Sequence, residues 1–280
     1  MMAAYLTMLR PVQWLKNLMI FFPPLLAGQI VMPDVLGKGL STFCAFCLMS
    51  SAGYVFNDLL DRERDLNHPR KRFRPVPSGV INVQSACISA ILLCVLSLLL
   101  AWLVSYRILP YLAGYAVVSV LYSLFLKHIP IVDLFGISAG FLIRLQAGGE
   151  LFQIPISPWL FLTVFLLSVF LSTGKRLSES LSLGVHAGKH RTSLSRYPEG
   201  FLAGTMYMTG TVVLVTYAMY TLNKHKLLYS VPLCLFGLLR FILRVTSGKG
   251  GDPTEALLND SLLLLVGLLW VALVVWSIYL

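Results

Sequence analysis

Read from the amino terminus, the chain alternates apolar runs with polar breaks. Nine runs are candidates for bilayer-crossing helices: 18–33, 39–56, 83–104, 108–126, 130–148, 157–174, 200–222, 227–245 and 261–280. Helical crossing takes about 20 predominantly apolar residues, so nine crossings use most of the chain and leave no room for a soluble module. The run 18–33 holds Pro23 and Pro24, and 130–148 holds Asp133 and Arg144. Prolines break the helical ladder and an ionised group in hydrocarbon is costly, so both runs are expected to face protein or an internal space. With no repeat and no linker, the pattern predicts an all-α integral membrane protein, one domain over residues 1–280, with nine transmembrane helices.

Composition agrees: 57% of residues are hydrophobic, 12% are charged and the mean hydropathy is +0.79. A soluble domain is about a quarter charged, so a cytosolic enzyme is excluded. The formal charge of +10 would suggest nucleic acid in a soluble chain; here its distribution sets topology instead, and no nucleic-acid partner is expected. Seventeen lysines and arginines fall on one side, against Lys38, Arg107, Lys224 and Lys226 on the other, with Arg144 inside a run. The positive-inside rule puts the crowded side, and the amino terminus, in the cytoplasm. Arg10 and Lys16 precede the first run with no convincing cleavage signal after it, so that run reads as a retained span. The five cysteines lie in apolar stretches without zinc-site spacing and read as packing.

Of the twelve acidic residues, only Asp34 and Glu150 lie on the outer side. Asp58, Asp61 and Asp65, after Asn57 at the end of the second run, are spaced i, i+3, i+7, so a continuing helix would put three carboxylates on one face. A cation between them would relieve the repulsion. Magnesium suits that place, since it takes one or two carboxylates and completes its shell with water and phosphate oxygens. The basic, proline-stiffened stretch 67–79 follows, with Lys71 and Arg74 as candidate phosphate contacts. Tyr122, Lys127, His128, Asp133 and Arg144 gather around the hairpin between the fourth and fifth runs. There the buried aspartate and arginine pair with each other or meet a polar ligand, and His128 reads as an interfacial residue rather than a general base. After the sixth run, Lys175, Arg176 and Arg191 could hold a phosphorylated group, since arginine forks match phosphate and lysine supplies a point charge, while Glu179 orients a cation or hydroxyl. Lys16 and Asn17 open the proline-bent first run and are further candidates.

Taken in order, these motifs resemble the UbiA superfamily of intramembrane prenyltransferases, whose nine helices surround a central cavity and whose N-D-x-x-D-x-x-x-D motif, here Asn57, Asp58, Asp61 and Asp65, binds magnesium and diphosphate. Members that act on aromatic acceptors usually carry a second aspartate-rich motif after the sixth span; here Gly174-Lys175-Arg176-x-x-Glu179 stands in its place. That change, with R-P-x-Q-W-x-K-N (10–17), H-P-x-K-R-F-R-P (68–75), Y-S-x-x-L-K-H (122–128) and F-L-I-R-x-x-A-G-G (141–149), is similar to the decaprenyl-phosphate phosphoribosyltransferase branch.

The resemblance implies a Mg2+-dependent transfer of 5-phosphoribose from phosphoribosyl diphosphate to a polyprenyl phosphate at the cytoplasmic face of the cell membrane, with a role in supplying lipid-linked pentose to the cell envelope. Asp58 and Asp61 would be catalytic and, with Asp65, bind metal. Lys16, Asn17, Asn57, Lys71, Arg74, Tyr122, Lys127, Arg144, Lys175, Arg176, Glu179 and Arg191 would bind substrate. An aromatic-acceptor prenyltransferase and a membrane transporter are the rival readings. Lipid chain length and oligomeric state, a homo-oligomer included, stay open.

Overall fold

The computed structural model of the protein describes residues 2–67, 69, 71–183, 193–222 and 224–280. Its elements are helices: α1 Met2–Leu9, α2 Phe22–Leu26, α3 Pro33–Leu60, α4 Arg62–Leu66, α5 Val83–Val104, α6 Leu109–Leu124, α7 Val132–Leu151, α8 Pro158–Leu183, α9 Phe201–Leu222, α10 Val231–Thr246, α11 Pro253–Asn259 and α12 Ser261–Tyr279. Seven helices among the described residues are long and apolar enough to cross a membrane, two fewer than the nine expected.

The first shortfall is the run 18–33. Residues Pro11–Phe21 form a 3-10 segment, which gives way to five-residue α2 with Pro23 and Pro24 in its first turn. A proline lacks the N–H and its ring collides with the preceding turn, so two in succession prevent one continuous helix. The second is α7, which has the length but carries Asp133, Arg144 and Glu150. All three charges have partners inside the bundle or at its edge, described below. At the opposite extreme, α5 and α12 bury almost none of their length, and Ile91, Val95, Leu99 and Leu268 stand exposed. Uncovered apolar faces of this size are what a lipid-facing helix presents.

The bundle packs as two halves about α7. On one side α3 lies along α5, around a core of Ala45, Phe46, Met49, Ala101, Leu112 and Tyr115. On the other, α8 lies along α9, with Phe170, Met206, Val213 and Phe241 at the contact. Between them α7 touches α6, α8 and the 3-10 segment. A glycine explains how close it comes: a Cβ on Gly148 would sit 2.2 Å from the Ile20 carbonyl oxygen. That residue thus admits the stretch of backbone that carries Lys16 and Asn17.

Two helices overrun their apolar runs, and both overruns carry polar groups into one region. The second run ends at residue 56 but α3 continues to Leu60, taking Asn57 and Asp58 with it. The sixth ends at 174 but α8 continues to Leu183, so Lys175, Arg176 and Glu179 are helical rather than part of a loop. Outside that region, Arg107 Nη1 lies 3.6 Å from Glu150 Oε1 and Lys224 Nζ donates to the Leu26 carbonyl at 2.6 Å. The first of these contacts joins two residues that the charge count assigns to the same side of the membrane.

Replacing Gly148 with alanine is expected to destabilise the protein by about 1–3 kcal/mol, the usual cost of overpacking, despite the gain of about 1 kcal/mol that alanine brings to an open helical position. Gly114→Ala, where nothing lies within 4 Å, is expected to be neutral or stabilising. Thermal unfolding of the detergent-solubilised protein checks both.

Candidate functional site

The overrunning helix ends, the 3-10 segment and the hairpin between α6 and α7 enclose a cavity of about 300 Å³. Its wall holds nine basic side chains, Arg10, Lys16, Arg64, Lys71, Arg74, Lys127, Arg144, Lys175 and Arg176, against three carboxylates, Asp61, Asp65 and Glu179. A space so lined is built for anions.

The face that α3 and α4 turn to the cavity includes Tyr54, Asn57, Asp61 and Asp65, with Ser50, Gly53 and Arg64 beside them. Helical backbone bonds persist through the junction, with Asp61 N–H donating to the Asn57 carbonyl at 3.0 Å and Asp65 N–H to the Asp61 carbonyl at 2.8 Å. The four-residue spacing therefore brings Asn57, Asp61 and Asp65 into line. Asp58, expected as a metal ligand, is 1% exposed, does not line the cavity, and pairs with Arg10 and with Arg74 Nη1 at 3.0 Å. Its position one residue round the helix from Asn57 turns it behind the face that the other two acids share.

Basic side chains also occupy the place where a cation was expected between the acids. Arg74 Nη1 spans Asp58 and Asp65, reaching Asp65 Oδ2 at 2.8 Å, while Lys71 Nζ stands 3.8 Å from Asp65 Oδ1. Lys127 Nζ donates to both oxygens of Asp61, at 2.8 and 2.7 Å, and to Asn57 Oδ1 at 3.1 Å. Burial pushes the Asp65 carboxyl up, against the pull of Lys71 and Arg74. Among the described residues no three His, Cys, Asp or Glu side chains stand close enough to enclose a metal ion. The donors Asn57, Asp61 and Asp65 are hard oxygens on one wall, which fits a magnesium ion that keeps water and phosphate ligands rather than one caged by protein.

Across the cavity, Arg176 is almost fully buried and uses all three guanidinium nitrogens: Nε to Asp133 Oδ2 at 2.8 Å, Nη1 to Glu179 Oε2 at 2.8 Å and Nη2 to the Tyr122 hydroxyl at 2.9 Å. Asp133 and Arg144 do not pair with each other. Asp133 takes its second bond from the Tyr197 hydroxyl at 2.8 Å, and that hydroxyl accepts the Ile131 N–H at 2.6 Å. Ile131 has φ +69°, and Val132 N–H closes a three-residue turn onto the Pro130 carbonyl at 2.8 Å. This γ-turn is rare and strained for a β-branched residue; the Tyr197 contact holds it. Lys175 Nζ lies 2.7 Å from Asp252 Oδ2, and Asp252 also caps the start of α11. Burial would raise the Asp252 carboxyl, but Lys175 and Lys16 win and hold it well below the usual carboxylate range.

Arg144 donates from Nε to Asn17 Oδ1 at 2.6 Å and from Nη1 to the Gly140 carbonyl at 2.7 Å, and stacks 4.3 Å from the Tyr115 ring centre. Asn17, expected to contact substrate, lies behind Arg144. It is fully enclosed, bonded also to Cys47 and Ser50, and supports Arg144 without reaching the cavity. Lys16 does reach it.

Of the remaining candidates, Asn57, Lys71, Arg74, Tyr122, Lys127, Lys175, Arg176 and Glu179 come together on the cavity wall, as does His128. Arg191, with His68, lies outside the described residues. Sequence reasoning did not single out Tyr54 or Tyr115, and it placed Tyr197 only in the basic loop after the sixth run. Tyr54 was legible in principle, one turn before Asn57 in a polar stripe through an apolar run. The bond from Tyr197 to Asp133 was not, because only folding brings that connection to α7.

Residues 18–263 match the UbiA prenyltransferase family. This chain belongs to that family. It is therefore a transferase-family enzyme of the membrane, and it is 34% identical to the decaprenyl-phosphate phosphoribosyltransferase of Mycolicibacterium smegmatis, over 96% of this chain and 91% of that protein. The protein of the same name from Corynebacterium glutamicum is also 34% identical, over 97% of this chain and 85% of the relative. The fold of this UbiA family member is shared with a UbiA homolog from Archaeoglobus fulgidus bound to GPP and Mg2+, at a TM-score of 0.77 and 20% identity over 99% of this chain and 100% of that one.

Asp133→Ala is expected to lower stability by about 3 kcal/mol, near the bottom of the range for breaking a buried pair, because Glu179 and Tyr122 still hold Arg176. Thermal unfolding with and without the substitution measures it, and an unchanged midpoint would remove Asp133 from the network.

Proposed function

We propose that this enzyme transfers 5-phosphoribose from phosphoribosyl diphosphate to a polyprenyl phosphate and releases pyrophosphate, at the cytoplasmic face of the membrane. The observation that carries this reading is the surplus of cations on the cavity wall. A prenyl diphosphate with an aromatic acid brings one diphosphate and one carboxylate. Phosphoribosyl diphosphate with a lipid phosphate brings the diphosphate and two monoesters, each carrying about −1.5 to −2 charges near neutral pH. The relatives named above supply the substrate classes, and Lys175, Arg176 and Glu179 lie on α8 where an aromatic-acceptor enzyme would be expected to carry aspartates.

The residues divide the work. Asn57, Asp61 and Asp65 would hold a magnesium ion, which supplies charge neutralisation to the leaving diphosphate when bound. Lys127, Arg74 and Lys71, each already at hydrogen-bond or ion-pair range of those acids, turn to the diphosphate oxygens. Asp58 keeps Arg10 and Arg74 in place from behind. A phosphate oxygen of the lipid attacks ribose C1, and the bond from C1 to the diphosphate oxygen breaks, with its electron pair leaving on pyrophosphate. The attacking phosphate is already ionised, so the step needs no general base, and His128 has no proton to take. Catalysis rests on positioning and charge stabilisation.

Purified protein given magnesium, phosphoribosyl diphosphate and a polyprenyl phosphate is expected to form lipid product and pyrophosphate, while a parallel reaction with prenyl diphosphate and 4-hydroxybenzoate stays blank. Product only in the second reaction would replace this reading with aromatic prenylation, and product in neither would reopen transport. Asp61→Ala is expected to lower turnover by about 100-fold or more, the scale of losing one charge-stabilising group, and chelation of divalent cations to abolish it. His128→Ala keeps most activity.

A further inference from the structure

Two groups of the cavity's cations are already paired, Arg10 lies on Asp58, and Arg64 is exposed. Arg74, Lys71 and Lys127 are held by Asp58, Asp61 and Asp65, and Arg176 and Lys175 by Asp133, Glu179 and Asp252. Lys16 and Arg144 have no carboxylate partner among the described residues. Lys16 makes no hydrogen bond there at all, although it faces the cavity. Arg144 spends Nε and Nη1 on Asn17 and Gly140, and its Nη2 makes no hydrogen bond among the described residues. The Tyr54 hydroxyl, on the same wall, likewise makes none there.

Arg144 is also rigid. It is 4% exposed, locked at two nitrogens and stacked on Tyr115, and its anchor Asn17 is itself fixed by Cys47 and Ser50. A buried cation without an anion is expensive, and a fold that freezes one in place beside an unbonded lysine is organised for an anion that arrives from outside. The ammonium of Lys16 shows the same deficit: burial, with Lys175, Arg144 and Arg10 nearby, pulls it down to about 7 against the opposing influence of Asp252.

We infer that Lys16 and Arg144, with the Tyr54 hydroxyl, form a second phosphate site that works without metal and takes a phosphate monoester, while the diphosphate goes to the Asn57–Asp61–Asp65 wall. The inference deepens the proposed function and rests on it for the identity of the monoester, which is either the sugar donor's 5-phosphate or the lipid acceptor's headgroup. A lysine point charge beside a pre-positioned arginine fork suits a compact dianion, and Asp252, the carboxylate that acts on Lys16, is already held by Lys175 at 2.7 Å.

The test is binding to the full-length protein in detergent, by calorimetry, with three probes: ribose 5-phosphate in EDTA, geranyl monophosphate in EDTA, and pyrophosphate with Mn2+. Lys16→Met is expected to weaken one monoester by about tenfold or more, the scale of a lost charged hydrogen bond. Pyrophosphate with Mn2+ is expected to bind as before, which also shows that the variant is folded. Lys16→Arg keeps the charge and is expected to retain the monoester. Loss confined to ribose 5-phosphate assigns the site to the donor, and loss confined to geranyl monophosphate assigns it to the acceptor. The inference is overturned if the wild type binds neither monoester in EDTA, if Lys16→Met binds both as well as the wild type does, or if all three probes weaken together. None of these outcomes depends on turnover, so the assay of the transfer reaction tests the proposed function separately.

Discussion

A charge inside a bundle surrounded by hydrocarbon has to find its opposite, and the arrangement of this protein follows from where those opposites are. Asp133 on α7 is answered by Arg176 on α8, Asp61 at the junction of α3 and α4 by Lys127 on the hairpin after α6, and Asp252 before α11 by Lys175 on α8. Arg10, just after α1, reaches Asp58 on α3, and Arg74 ties that acid to Asp65. Most of these pairs cross between elements distant in sequence, so the ion pairs fasten together one end of the bundle. The apolar contacts of α3 with α5 and of α8 with α9 set the helices side by side; the charges decide which ends meet and leave a cavity between them.

Much of this was legible in the chain because hydropathy is a strong signal in membranes. The runs that became α5, α6, α9 and α12 match their helices to within a residue or two. Elsewhere, backbone chemistry or tertiary contact prevailed. Pro23 and Pro24 announced that the first run was unusual, but not that its preceding residues would wind as a 3-10 segment against Gly148. The acid motif was visible as a motif, yet the three-residue spacing favoured Asp58, whereas the folded wall uses the four-residue series through Asn57, Asp61 and Asp65. The difference is one of helix phase, which depends on which side of α3 the cavity lies.

Asn17 shows the other limit. Polar residues in an apolar context read as ligand contacts, but a rigid ligand contact needs a support that never meets the ligand. From sequence, Lys16 and Asn17 are adjacent and alike in promise; in the fold one faces the cavity and the other is enclosed behind Arg144. Their opposite fates follow from the turn of a single residue along the backbone.

The lysine that grips Asp61 and the arginine that grips Asp65 make the acid wall its own store of counterions. On the proposed reaction, a divalent cation arriving alone would have to evict Lys127 or Arg74 and strand it without an anion. A diphosphate arriving alone would draw those same side chains away and leave the carboxylates bare. Arriving together, the two ligands would satisfy every group that they displace, so each would tighten the other's hold, and by thermodynamic reciprocity by the same factor in both directions. The resting ion pairs are thus a form of mutual exclusion against partial occupancy, written into the wall before any substrate is present.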